Sequence, residues 1–465
     1  MTRLRVILLI IFTCSVALLY SQTNNERLPN IVFILADDLG YGDVGAYGQQ
    51  LIKTPNIDKL AKAGMRFTNF YAGSTVCAPS RASLMTGQHT GRAFIRGNGD
   101  LPLRPNDTII TEMLKQKGYV NGMVGKWGLG LYGTTGMPEK KGWDFFIGHL
   151  RHREGHYQRR DSVWKMVNGA TTQIKIPNDV YINKLFTDAA NDFIWQNRQR
   201  PFFLYVAYTL PHAELIAPVK YLQQYQDNNG NSLFAPETAH PDGLHYGAQP
   251  HPKAAYAAMI TSMDDYIGSI VTQLKRCGLE ENTIVIFSSD NGTHVEGGRK
   301  LQDAIDVFKS SGPLKGVKRD LYEGGIRVPF IIKWPAKVAA NTATDHAAAF
   351  WDVLPTFASI TGTTAPDNDG LSFLPTLLQQ QQTPHEYLYW EFYEKGFKQA
   401  IRKANWKAIR FYKDGQPFKT ELYNLAKDIG EKDDVAGAYP DKVKELEWLM
   451  DAAHRTSESK AFQVK

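Results

Sequence analysis

Short apolar runs bounded by turn-forming residues alternate along the chain with segments whose apolar residues recur every three or four positions. The runs lie at residues 31–36, 202–208, 283–289 and 328–334, and each predicts a buried strand. Helical spacing is found, among other places, at residues 57–63, 110–117 and 254–274. This alternation predicts an α/β fold in which a largely parallel sheet is flanked by helices.

The pattern changes after a helical segment at residues 350–360. Residues 361–370 are rich in Thr, Asp, Pro and Gly, and a glutamine tract follows at 379–382, so we predict a boundary near residue 365. Beyond it, short strands are predicted at 386–392, 399–401, 406–411 and 422–425, and a helix at 440–454. The sequence therefore predicts a main domain at 22–365 and a C-terminal subdomain at 366–465, built from a small antiparallel sheet and one helix.

The N-terminal residues have the layout of an export signal. Arg3 and Arg5 precede an apolar stretch at 6–19, and a polar run follows. The stretch is shorter than the roughly 20 residues that a bilayer requires, so we expect a signal peptide at 1–21, cleavage near Ser21 and no stable membrane span. The product would be periplasmic or secreted. Acylation of Cys14 to give a lipoprotein is the less favoured alternative, because a small residue is expected before the acylated cysteine and Thr13 meets that requirement poorly.

Composition narrows the function classes. The chain has 465 residues, of which 43% are hydrophobic, so it can bury a large core and disorder is excluded. The formal net charge of +6 suits an anionic substrate, but without a dense basic tract it does not indicate nucleic acid binding. Once Cys14 has left with the signal, only two cysteines remain, which is not a disulfide framework. Cys277, before Gly278 at a predicted helix end, is interpreted as a packing residue, whereas Cys77 needs its own explanation.

Two predicted strands end in pairs of oxygen-bearing side chains. One runs into Asp37 and Asp38, and the other into Asp290 and Asn291. Ligands of open α/β sheets bind beyond the carboxyl ends of strands, so neighbouring strands would bring three carboxylates together around a cation. Oxygen donors of this kind suit Ca²⁺ or Mg²⁺ rather than zinc. The alternative is that these residues only start turns or cap helices, and the pattern alone leaves both open.

Cys77 begins the run C-A-P-S-R at residues 77–81, in which Pro79 and Ser80 favour a helix start. Its side chain would then lie at a helix N-terminus beside Arg81. Positive potential at such a position lowers the pKa of a thiol and attracts anions. Taken alone, these residues indicate a thiol nucleophile.

The run around Cys77 resembles the signature of the formylglycine-dependent sulfatases (type I, arylsulfatase-like), and in particular bacterial polysaccharide sulfatases. It continues through Leu84, T-G at 86–87 and G-R at 91–92. Further segments match the family in its order over nearly the whole mature chain: A-D-D-L-G-Y-G-D at 36–43, T-P-N-I-D at 54–58, G-K-W at 125–127, P-H at 211–212, S-D-N-G at 289–292, and Lys318 before Y-E-G-G-I-R-V-P at 322–329.

The resemblance implies an alkaline-phosphatase-like fold and a set of roles. A formylglycine-generating enzyme would oxidise Cys77 to 3-oxoalanine (formylglycine), whose hydrate attacks sulfur while Arg81 holds it. Lys126 and Lys318 would stabilise the developing charge, and His212 is the candidate general acid, with Lys318 its competitor. The implied Ca²⁺ ligands are Asp37, Asp38, Asp290, Asn291 and the modified Cys77.

The chain departs from the family at Gly128, where many sulfatases carry a histidine that is credited with helping formylglycine to re-form. His294 and His156 are the candidates to replace it. We expect the loop at 149–157, with Arg151, His152 and His156, to line the substrate site together with His294. The alternative for this loop is a solvated charge run.

The resemblance predicts a sulfuric ester hydrolase that acts on a sulfated carbohydrate. The alternative within enzymes is a phosphate or phosphonate monoester hydrolase of the same fold. A non-catalytic glycan-binding protein, with Gly128 as a sign of decay, is less favoured because the other catalytic residue types are all present.

Overall fold

The computed structural model of the protein describes residues 27–463. The predicted signal peptide at 1–21 and the alternative lipidation site Cys14 lie outside these residues. Both cysteines in the described part are free thiols, and Cys277 caps the C-terminus of a long helix and packs partly against the core, as expected. No helix within residues 27–463 combines the length and apolar character that a bilayer crossing requires.

The strands of the described chain belong to one large sheet, a two-stranded pair and a C-terminal sheet. Their bounds are β1 Asn30–Asp37, β2 Met65–Phe67, β3 Phe70–Tyr71, β4 Val120–Lys126, β5 Phe145–His149, β6 Ser162–Val167, β7 Ala170–Lys175, β8 Phe202–Pro211, β9 Thr283–Ser289, β10 Phe330–Lys333, β11 Thr342–Thr344, β12 Ala348–Ala349, β13 Leu388–Phe392, β14 Lys398–Lys403, β15 Trp406–Lys413 and β16 Gln416–Asn424.

The α-helices are α1 Pro55–Lys62, α2 Cys77–Thr86, α3 Ile110–Lys115, α4 Ile182–Asn197, α5 Val219–Leu222, α6 Pro252–Arg276, α7 Glu323–Ile326, α8 Val353–Thr361, α9 Leu374–Leu377 and α10 Pro440–Ala453. The predicted helices at 57–63, 110–117, 254–274 and 440–454 are all confirmed, with small shifts of their ends.

The large sheet has the strand order β11-β2-β10-β9-β1-β8-β4-β5-β6-β7 among the described residues. The strands from β9 to β5 run parallel to one another, with β1 between β9 and β8. The flanking pairs β10–β9, β10–β2, β5–β6 and β6–β7 are antiparallel. The prediction of an α/β sheet flanked by helices is therefore confirmed. The apolar run at 328–334 forms β10, whose direction is opposite to that of the parallel centre.

The central strands are buried on both faces, which explains why their sequences are continuously apolar. In β1, Val32 and Ile34 pack in one core cluster with residues of α4 and α6. Phe33 and Leu35, which point to the opposite face, pack in a second cluster with residues of α2, α3 and α8. Two layers of helices thus cover the sheet.

The C-terminal sheet is an antiparallel meander of β13 to β16 in chain order, with α10 packed on one face. Its other face packs on the main domain, where Trp390 contacts Tyr71 and Trp351. The predicted sheet and helix are confirmed. The boundary near residue 365 stays a prediction.

Candidate active site

Polar side chains collect at the carboxyl ends of four adjacent parallel strands. The residues are Asp37 and Asp38 at the end of β1, Lys126 at the end of β4, His212 directly after β8, and Asp290 and Asn291 directly after β9. Because β9, β1, β8 and β4 are neighbours in the sheet, these chain-distant residues meet at one edge, where open α/β sheets bind ligands.

Buried carboxylates form the centre of the site. Asp37, Asp38 and Asp290 are each fully buried and, with Cys77, offer candidate ligand atoms that all lie within 4.8 Å of one another. Asp38 has a φ of 64°, a left-handed turn conformation that ends the strand. The amide nitrogen of Asn291 donates to Asp38 Oδ1 at 2.6 Å, while its buried Oδ1 has no hydrogen-bond partner.

Three buried cations face these carboxylates. Lys126 Nζ lies 2.6 Å from Asp37 Oδ2, and Lys318 Nζ lies 2.6 Å from Asp38 Oδ2. Arg81 donates from Nε and Nη2 to Asp290 Oδ2, at 3.0 and 2.8 Å. A third bond from Arg81, from Nη1 to the carbonyl oxygen of Lys126 at 2.7 Å, fixes the guanidinium plane. The three carboxylates and three cations cancel in charge.

This packing separates the pKa values of the carboxyl groups. Burial alone would raise the pKa of Asp37, but Lys126 and Arg81 outweigh it and hold that pKa well below its usual value. Burial raises the pKa of Asp38 despite Lys318. Burial and the Asp37 charge raise the pKa of Asp290 to about 7 despite Arg81. Buried like charges this close need further positive charge to remain ionised together.

Cys77 is the first residue of α2, so the helix starts two residues before the predicted Pro79, and Arg81 lies one turn further along the helix. The thiol is 2% exposed and its sulfur lies 3.2 Å from Asp37 Oδ1. The expected activation of the thiol is wrong. Burial and the charges of Asp290 and Asp37 raise the pKa of Cys77 well above its ordinary value, outweighing the helix end.

His212 touches the carboxylate cluster from the β8 side. Its Nδ1 lies 2.7 Å from the carbonyl oxygen of Ala213, and its Nε2 lies 3.0 Å from Asp38 Oδ2 and 3.4 Å from Glu296 Oε2. Burial and the neighbouring Lys318 lower the pKa of His212 well below its ordinary value.

Two of the other predicted histidines, His156 and His294, lie next to His212. The ring of His156 lies 4.1 Å from that of His212, and its Nδ1 is 3.1 Å from the hydroxyl of Tyr246. The ring of His294 lies 5.3 Å from His212, with Nε2 bonded to the carbonyl oxygen of Pro211 and Nδ1 accepting the N–H of Glu296. Burial lowers the pKa of both His156 and His294 to about 3.

The loop after β5 contains the two remaining candidates. His152 packs against Gly128, directly beyond the end of β4, and is brought to the site. Arg151 is about half exposed and its guanidinium pairs with Asp100 at 3.6 Å, so the structure does not bring it into the buried cluster.

Sequence reasoning missed Glu296. Its carboxylate lies beside His212, 3.9 Å from Lys318 Nζ, and accepts from Arg319 at 2.7 Å and from the Tyr246 hydroxyl at 3.2 Å. The sequence feature that could have indicated Glu296 as a site residue is its position in the segment after β9, two residues beyond His294.

Comparison with known proteins identifies the family. A model described as Sulfatase matches residues 29–363, which is most of the chain. The chain belongs to the sulfatase family. A second model, described as N-sulphoglucosamine sulphohydrolase, C-terminal, matches residues 317–454 of this sulfatase. The predicted enzyme class, a sulfuric ester hydrolase, is thereby confirmed.

Individual relatives of this sulfatase cover most of its length. It is 32% identical to an N-acetylgalactosamine-6-sulfatase of Mus musculus, over 78% of this chain and 68% of the relative. It is 28% identical to an N-acetylgalactosamine-6-O-sulfatase of Bacteroides thetaiotaomicron, over 92% and 93%. The crystal structure of Ps i-CgsB in complex with k-i-k-neocarrahexaose superposes with a TM-score of 0.75 and 27% identity, covering 92% of each chain. These similarities confirm the alkaline-phosphatase-like fold.

Proposed function

We propose that this sulfatase hydrolyses sulfate esters of a sulfated carbohydrate, using a calcium ion held by the carboxylate cluster and a formylglycine made from Cys77. The observation that carries the proposal is the position of the Cys77 sulfur, which lies among the buried Asp37, Asp38 and Asp290 carboxylates. A soft sulfur is a poor ligand for the hard cation that such oxygen donors bind, whereas an oxygen-bearing residue at position 77 fits the cluster.

The donor set fits calcium. Asp37, Asp38, Asp290 and the residue-77 side chain supply hard oxygen donors, and the orphaned Oδ1 of Asn291 needs a partner. Without a metal, the carboxylates and cations cancel. A divalent cation would therefore leave the site net positive, as binding of a sulfate ester requires. When bound, the ion would polarise the sulfate oxygens and the hydroxyl that attacks sulfur.

Formylglycine would supply two hydroxyl groups on one carbon, one to attack sulfur and one to allow sulfate to leave. Cys77 is buried in the folded chain, so the formylglycine-generating enzyme would have to reach it before folding is complete. That enzyme and the sulfated substrate are the partners that the proposal requires.

The protein's own residues perform the remaining steps. Arg81, locked by Asp290, would orient the nucleophilic hydroxyl. Lys126 and Lys318 would face the sulfuryl oxygens as fixed cations. Burial alone would lower the pKa of each lysine, but the charge of Asp37 beside Lys126 and of Asp38 beside Lys318 outweighs it, raises both pKa values and keeps the lysines protonated. His212 is the candidate to donate a proton from Nε2 to the leaving sugar oxygen, for which it must hold a second proton against its lowered pKa. Lys318, whose raised pKa keeps it protonated, is the competing donor.

A carbohydrate substrate is supported by the sulfated sugars after which the relatives are named and by the polar rim of the site. His156 and His294 would line the sugar site next to Tyr246, and Arg151, which is exposed at the edge, would meet a further anionic group of a longer substrate. The N-terminal pattern supports export to the periplasm or beyond, where sulfated polysaccharides are met.

Turnover of an aryl sulfate against the matching aryl phosphate tests the proposed reaction, with Cys77→Ala as the inactive control. We expect strong preference for the sulfate and loss of turnover in the control. Preference for the phosphate would instead indicate a phosphomonoesterase. A panel of defined sulfated oligosaccharides then tests the carbohydrate, and turnover of aryl sulfates alone would count against it.

A further inference from the structure

The imidazole of His152 occupies the space that a side chain at position 128 would need. A Cβ added to Gly128 would lie 2.1 Å from Cε1 and 2.5 Å from Nε2 of His152. Gly128 also has a φ of +72°, which disfavours other residues. Position 128, where the family motif has histidine, is glycine here, and this glycine makes room for the ring of His152. The two departures are therefore linked in the structure.

The loop that carries His152 is fixed against the end of β4. The backbone N–H of Gly128 donates to the carbonyl oxygen of Leu150 at 3.1 Å. Glu154 accepts the backbone N–H groups of Leu150 and Arg151, which closes the turn around His152. Position 155 is glycine, and a Cβ there would lie 3.1 Å from Cδ of Lys126. The loop is thus held against the lysine that pairs with Asp37.

Both ring nitrogens of His152 are buried and have no hydrogen-bond partner. Burial and the nearby Lys126 and Arg81 lower its pKa well below the ordinary value, so the ring is neutral and has a free lone pair. The two histidines that the sequence suggested are engaged: His294 through both nitrogens, and His156 through a bond to Tyr246. An unpaired buried imidazole is costly unless a ligand or reacting group completes it.

We propose that His152 is a catalytic residue, which replaces a histidine at position 128 and accepts the proton that the hydroxyl of residue 77 gives up as sulfate is released. This inference rests on the proposed function. In the step, the O–H bond breaks and its electron pair closes the carbonyl of residue 77. The bond from that carbon to the sulfate oxygen breaks with its electrons leaving on sulfate, and the proton goes to a ring nitrogen of His152.

The central experiment compares His152→Ala with Arg153→Ala, an exposed neighbour in the same loop. Mass spectrometry first establishes that residue 77 is modified in each protein. In His152→Ala we expect kcat to fall about a hundredfold and kcat/KM to change far less, because the loss falls after attack on sulfur. Acid-quenched His152→Ala should retain ³⁵S from a labelled substrate, and added imidazole should restore part of kcat. Arg153→Ala should match the wild type in each readout.

A second comparison tests the geometry without turnover. Gly128→His should lower the unfolding temperature by several degrees, and adding His152→Gly should recover the part of that loss that comes from the collision with the ring, while the strain of the positive φ remains. Absence of recovery would contradict the shared position.

The outcomes separate the two claims. A wild type with modified residue 77 that neither turns over sulfate esters nor retains label would overturn the proposed function and this inference together. Two results with an active wild type would overturn only the role of His152. In the first, His152→Ala keeps a near-normal kcat. In the second, His152→Ala loses kcat but retains no label and is not rescued by imidazole.

Discussion

Lys318 and Asp38 lie 280 residues apart in the chain, yet their side chains meet with 2.6 Å between Nζ and Oδ2. The backbone N–H of Lys318 donates to the carbonyl oxygen of Thr293, which anchors the lysine to the segment after β9. Lys318 is therefore a fixed cation beside the carboxylate cluster. Its position also makes it the competitor of His212 as proton donor, and substrates with different leaving groups distinguish the two.

His212→Ala should lose about a hundredfold or more of kcat on a sugar sulfate and far less on an aryl sulfate with an acidic phenol, which leaves without a proton. Lys318→Ala should lose activity on both substrates, because charge stabilisation is needed in each. Lys300→Ala, at an exposed position, is the control. If only Lys318→Ala shows the leaving-group dependence, Lys318 is the proton donor.

Asp290→Ala should remove bound calcium, measured by elemental analysis, together with nearly all activity. It deletes a proposed ligand and releases Arg81 from its position. Asn291→Ala removes the orphaned oxygen together with the amide nitrogen that donates to Asp38 Oδ1, and it should weaken calcium binding with less effect on folding than Asp290→Ala. Asp265→Ala, on the exposed face of α6, is the matched control. Retention of calcium and activity in Asp290→Ala would refute the metal assignment.

Glu323, the first residue of α7 in the main domain, is fully buried among cations where the C-terminal sheet packs against this domain. It accepts from Arg327 Nε at 2.6 Å, Lys407 Nζ at 2.8 Å and the Tyr71 hydroxyl at 2.8 Å. Glu323→Gln removes the carboxylate that pairs with Arg327 and leaves Lys407 paired only with Glu431, so it should lower the free energy of unfolding by about 3–5 kcal/mol. Urea unfolding measures this.

The exposed Lys184–Asp188 pair provides the comparison, since Lys184→Ala should cost less than about 0.5 kcal/mol. A similarly small cost for Glu323→Gln would show that this cluster does not stabilise the junction.

Glu296 should make stability depend on pH on the acid side. Burial would raise its pKa, but Lys318, His294 and Arg319 lower it from 4.5 to about 2. Its stabilisation is therefore present above a pH of 4.5 and is lost as the pH falls towards 2. Glu296→Gln should be less stable than the wild type by about 1–3 kcal/mol at neutral pH, and the difference should shrink on acidification. A difference that is independent of pH would contradict this assignment.

The sequence pattern predicted correctly the strands that are buried along their whole length. The strands β1, β8 and β9 are enclosed on both faces, so their apolar runs are continuous. In contrast, β4 contains Gly122, which packs under the ring of Phe193, and Gly125, where a Cβ would collide with Ala207 O. These tertiary contacts require glycine and remove the local strand signal. The direction of β10 was equally inaccessible, because an apolar run carries no direction.

The site was predictable where strand ends supply its residues and less so where loops do. Asp37 and Asp290 follow recognisable strands, so their convergence followed from the sheet. The predicted lowering of the Cys77 pKa was wrong, because an argument from the helix end alone omits the carboxylates that β1 and β9 bring to the thiol. His152 and Glu296 acquire their places from loops whose paths the sequence pattern does not encode.

The mass of the peptide that contains residue 77 tests the central claim most directly. In protein purified from its native host, the account predicts a residue that has lost sulfur and two hydrogens and gained one oxygen relative to cysteine, with sulfatase activity proportional to the modified fraction. A fully active protein whose residue 77 is unmodified cysteine would contradict it.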